Sequence, residues 1–170
     1  RRTGRALQQL PLAHRSLGLW NRAEELLERD VEFRATGHLR LIFDEASRAD
    51  MLRYSDDARP LGLELEPLEP SELRHRFPGL GPSAIGASYS PRDGSANPRL
   101  IGPAFADAAA RAGARIPDQA GVPQITKTDR GFQVSTAQGD FGADVLVTCA
   151  GARGTAIARQ FGRPRPPPPH

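Results

Sequence analysis

The chain has 170 residues, 38% hydrophobic and 25% charged, enough for one medium domain or two small ones with a real core. No apolar run approaches the ~20 residues that span a bilayer, no apolar stretch follows Arg1-Arg2-Thr3-Gly4-Arg5 as in a signal peptide, and a single cysteine excludes an internal disulfide and points to a reducing, cytoplasmic setting. Net charge is +3 with Lys127 the only lysine; the arginines are scattered among acids, without a basic stripe or interleaved aromatics, so nucleic acid is not an expected partner.

Leu12 to Leu27 has a helical period, with Leu12, Ser16, Trp20, Ala23 and Leu27 on one side and Pro11 in the first turn. Trp20 reads as a core anchor. Thr36-Gly37 is a turn, and Leu39, Leu41 and Phe43 alternate as a strand. Ala46 to Arg59 reads as a polar helix carrying Ala49 and Leu52. Leu61, Leu63 and Leu65 alternate as a second strand, ended by Pro67 and Pro70. Ser71 reads as the N-cap of a short helix through Phe77, and Ile85 to Tyr89 as another strand.

Asn97 followed by Pro98 starts the next helix. Its face is Ile101, Phe105, Ala108 and Ala112, and Gly113 closes it. Ile116 begins a short strand. Gln124–Thr128, Phe132–Thr136 and Phe141–Ala143 form a meander with turns at residues 129–131 and 138–140. Val145-Leu146-Val147-Thr148-Cys149-Ala150 reads as a buried strand running into Gly151-Ala152-Arg153-Gly154, and the Ile101 face of the preceding helix is expected to pack on it. A last helix covers Thr155–Phe161. The Pro-rich residues 163–170 are expected to be disordered.

Few residues point to chemistry. Gly79-Leu80-Gly81-Pro82-Ser83-Ala84 matches a dinucleotide glycine pattern but follows a helix and leads into a strand, the reverse of what that site needs. Gly151-Ala152-Arg153-Gly154 has better context, and two readings stay open there: a cofactor-approach loop or a tight turn. Cys149 reads as a buried small hydrophobe. His14 and His75 read as solvated helix positions, and His38 as a strand residue with a pocket role open to it. No His, Cys or carboxylate spacing suits a metal. The pattern alone names no catalytic residue.

Asp93-Gly94-Ser95-Ala96-Asn97-Pro98-Arg99-Leu100, the Pro103-Ala104-Phe105 helix, Gly113-Ala114 and the Ala143–Ala152 run resemble the FAD-dependent D-amino acid oxidase family, which includes glycine and sarcosine oxidases and D-amino acid dehydrogenases. Leu10–Trp20 and Thr36–Leu41 resemble its middle region. The resemblance implies an internal fragment with an α/β architecture. A partial FAD-binding, Rossmann-like domain with a three-stranded meander would occupy 1–32 and 91–162. Part of an antiparallel-sheet substrate domain would occupy 33–90. It implies FAD as cofactor and a small amine or amino acid as substrate, oxidised at its CH–NH bond by hydride transfer to the flavin. By the same analogy the Val122 backbone meets the adenine and Ala150-Gly151 approach the pyrophosphate, while Asp93 and Asn97 read as a turn former and a helix cap. A homo-oligomer or a partner subunit is compatible with this reading. The alternative is a non-catalytic, truncated relative that serves as a packing or interaction module.

Overall fold

The computed structural model describes residues 2–121, 124–151 and 154–162. It forms two compact units, Arg1–Ala114 and Arg115–His170.

In the first unit α1 (Leu10–Trp20) and α2 (Ala23–Leu27) are separate helices. Asn21 and Arg22 break the expected single helix: Arg22 leaves helical geometry at φ −113°, ψ 15°. Within α1 Leu10 is buried while Leu12, two residues on and so on the opposite side, is exposed, and in α2 Ala23 and Leu27 are buried. Next come β1 (His38–Ile42), α3 (Glu45–Ala58), β2 (Glu66–Leu68), α4 (Pro70–Arg76), β3 (Gly86–Ser90) and α5 (Pro98–Arg111). The strands make one antiparallel sheet in the order β1-β3-β2. Leu39, Leu41, Leu68, Ala87 and Tyr89 share one face, covered by Leu73 and Phe77 of α4 and the segment after it. On the other face lie Ser88 and Ser90, both fully buried. A second cluster joins Leu10, Ala58, Leu63 and Leu65. A third packs α5 on α2 through Ala104, Ala23, Leu27 and Val31, with Trp20 stacked on Phe33 at 5.8 Å.

The second unit is the expected meander of β4 (Gln124–Thr128), β5 (Gly131–Thr136) and β6 (Gly139–Ala143), followed by α6 (Gly154–Gln160). Ile125, Val134 and Phe141 are in cross-strand register, a side-chain row of the kind that stabilises antiparallel pairs. On the same face Phe161 meets Phe132 edge-on at 5.8 Å, and the Arg115 guanidinium lies 5.3 Å from the Phe141 ring centre.

Several expectations are corrected. Leu63 and Leu65 are buried as their alternation requires, yet the strand is displaced to Glu66–Leu68 and includes Pro67. Proline is tolerated there because β2 is an edge strand. Helix α4 begins at Pro70 with Glu69 as its cap residue, not Ser71. Helix α3 buries Met51, Ser55 and Ala58, whereas Leu52 and Ala49 are exposed. Helix α5 centres its buried face on Ala104, and Phe105 is half exposed. Ile116 is exposed and in no strand. Residues 145–150 form no strand either. Residues 163–170 lie outside the described residues.

Candidate functional site

The expected cofactor edge follows the meander. A strand buried on both faces needs ladder partners beside it, and no described strand pairs with residues 145–150. Val145 and Val147 are therefore 75% and 77% exposed. Cys149 is an exposed free thiol, not the buried hydrophobe expected. Ala150 and Gly151 are exposed, and Gly151 adopts φ +53°. Among the described residues nothing stands within 4 Å of a Cβ built on Gly151. The left-handed backbone itself favours glycine here. Ala150 and Gly151 thus lie on exposed backbone. Val122, Ala152 and Arg153 lie outside the described residues.

The best-organised polar group is elsewhere, around Asp93. Its side chain is fully buried and its carboxylate accepts Arg2 twice, from the backbone N–H (2.9 Å) and from Nε (2.9 Å). Thr3 adds its backbone N–H and hydroxyl, each at 3.4 Å. The guanidinium also donates to Ser90 Oγ (3.2 Å) and lies 3.4 Å from His14 Nδ1, whose Nε2 is 3.0 Å from the Leu61 carbonyl. Burial alone would push the Asp93 carboxyl up; the donors of Arg2 and Thr3 and the Arg2 charge outweigh it and hold the group below the ordinary aspartate value. Arg2 and Leu17 line two adjoining cavities, of about 490 and 610 Å³. Trp20 and Phe33 supply aromatic wall to the first.

Asn97 is the helix cap that the sequence announces: Oδ1 accepts from Arg99 N–H at 3.0 Å. Asp93 is more than a turn former, and His14 is a bonded residue rather than a solvated one. Arg2 and Asp93 are 91 positions apart, so no local period could link them. His38 is half-buried on β1 and does not line these cavities. Gly79 and Gly81 are exposed in the loop between α4 and β3, and Leu80 between them packs on the sheet cluster. Among the described residues no group of three or more His, Cys, Asp or Glu could hold a metal ion, and no helix is long and apolar enough to cross a membrane.

The family described as FAD dependent oxidoreductase (DAO) matches residues 1–170. The glycine oxidase of Geobacillus kaustophilus is 31% identical over 158 residues, covering 90% of this chain and 42% of that protein. The monomeric sarcosine oxidase of Streptomyces avermitilis is 30% identical, covering 91% of this chain and 40% of that one. The crystal structure of the Geobacillus glycine oxidase superposes with a TM-score of 0.82 at 29% identity, over 95% of this chain and 45% of its own. L-proline dehydrogenase from P. horikoshii shares the fold, with a TM-score of 0.84 at 24% identity over 95% of this chain and 43% of its own. The chain thus spans about two fifths of the length of the curated relatives it matches. Both units of the fold fall within the matched family and the superposed oxidase, and the chain belongs to the FAD-dependent oxidoreductases of the DAO family.

Proposed function

We propose that this chain is part of a flavoprotein that oxidises the CH–NH bond of a small amino acid or secondary amine. The observation that carries this reading is the family match over all 170 residues, joined to 31% identity with a glycine oxidase. Residues 1–32 and 91–162 would contribute to the FAD-binding domain and 33–90 to the substrate domain. Val122, Ala150 and Gly151 would meet the cofactor through their backbones. FAD, when bound, supplies the hydride acceptor, and the protein's part is to hold and orient.

The test is made on the longest reading frame containing this sequence. A bound yellow flavin that bleaches anaerobically with glycine, sarcosine or D-alanine is the expected result. A flavin that none of these or other small amines reduces would sink the reading. A second reading, a packing or interaction module without catalysis, is favoured by the exposure of Val145 and Val147. A folded, flavin-free protein would support it.

A further inference from the structure

We propose that Arg2–Arg5 form a strap that opens as a local unit, with the Asp93 carboxylate as its catch and the Arg2 side chain as a gate between the two cavities of the first unit.

Among the described residues the strap has no β-ladder partner. Side chains hold it: Arg2 and Thr3 send four donors into one carboxylate, and the Tyr54 hydroxyl donates to the Arg5 carbonyl at 2.9 Å. Gly4 sits between these anchors at φ +72°, exposed, where the chain turns and the Arg5 N–H reaches the Arg2 carbonyl at 3.3 Å. The sheet beneath is held differently. β3 has a partner on each side, five register pairs with β1 and three with β2. Segments whose backbone lacks ladder bonds open at lower free energy than paired strands. Arg2 is 3% exposed and lines both cavities; with the catch released, its side chain no longer separates them. A carboxylate suits this catch better than an amide. It accepts from every donor directed at it and balances the buried guanidinium.

The test is amide exchange of the 170-residue chain at neutral pH, read by NMR at Arg2 and Thr3 and at the paired β1 and β3 amides. In the wild-type chain the strap amides should exchange faster than the paired sheet amides and at a rate that low concentrations of urea leave unchanged, whereas the sheet amides should quicken with urea. In Asp93→Asn the strap amides should exchange at least about tenfold faster, the equivalent of about 1.4 kcal/mol, and still without urea dependence. Strap exchange unchanged in that variant, or rising with urea in step with the sheet, would overturn the proposal. Should Asp93→Asn fail to fold, Ser90→Ala decides. It removes one acceptor of the Arg2 guanidinium, so strap exchange should quicken severalfold and stay independent of urea. No change, or strap exchange that follows the urea dependence of the sheet, would overturn the proposal.

Discussion

Tyr89 lies directly over Gly37: a Cβ built on Gly37 would stand 2.3 Å from the phenolic oxygen and 2.4 Å from a ring carbon. The ring has little freedom to retreat. Its hydroxyl donates to the Thr36 carbonyl at 3.2 Å, Phe77 meets it edge-on at 5.8 Å, and the Arg76 guanidinium lies 4.8 Å from its centre. Gly37 also sits at φ +84°, a region that L side chains enter at a cost.

Gly37→Ala should therefore destabilise the first unit by about 2–4 kcal/mol, the sum of backbone strain and overpacking. Urea unfolding checks it. The steric part belongs to the pair, so Gly37→Ala should be less harmful in a Tyr89→Ala background. Equal losses in both backgrounds would mean that backbone strain alone is at work.

How much of this was legible in the sequence depends on range. Asn97-Pro98, the meander turns and the alternation of Leu39 and Leu41 act within a few residues, and each stands in the structure as read. Single-face reasoning failed where chain geometry intervened. The Asn21-Arg22 break split one expected helix in two, and Ala104 rather than Ala108 became the centre of another helix face. Residues 145–150 have strand composition but no described ladder partner, and composition cannot supply one. The Arg2–Asp93 pair was invisible for a related reason. Complementary charges 91 residues apart leave no periodic trace.

Acid should weaken the first unit through Asp93. Its folded value is lowered below the ordinary 3.8, so the contribution is fully present above the ordinary aspartate value. It is lost as pH falls through the lowered one. Stability measured by urea midpoint should thus fall on the acid side and gain nothing from Asp93 above neutrality. Asp93→Ala leaves the Arg2 guanidinium without its partner carboxylate and should cost about 3–5 kcal/mol at neutral pH. It should also flatten the acid limb. An acid limb of unchanged slope in that variant would show that other carboxylates set it.

Asn97 joins two functions in one side chain. Oδ1 caps α5, while Nδ2 donates to Oε2 of Glu32, a residue at φ +56°, at 2.9 Å. Asn97→Ala should lose about 1 kcal/mol or somewhat more. Asn97→Asp keeps the capping oxygen but places a carboxylate beside Glu32, so its stability should fall between the other two. Thermal midpoints of the three chains order them. Asn97→Asp as unstable as Asn97→Ala would assign the weight to Glu32 instead of the cap.

The run after the meander should make the chain self-associate. Val145 and Val147 stand 75% and 77% exposed on a stretch whose backbone pairs with no described strand. Unpaired extended backbone with apolar side chains is a template for pairing with another chain, and a charge on such an edge suppresses it. Sedimentation velocity should show the weight-average mass rising with concentration above the 18.4 kDa of one chain. The rise should persist in high salt, because apolar and backbone contacts are not screened as charges are. Val145→Lys with Val147→Lys should return the chain to a monomer with its circular dichroism unchanged, since neither valine is buried in the fold. A monomeric wild-type chain would show that this stretch is tolerated in water as it stands. Association that survives both lysines would place the contact on another surface, with the exposed Leu12 and Phe105 of the first unit as the next residues to change.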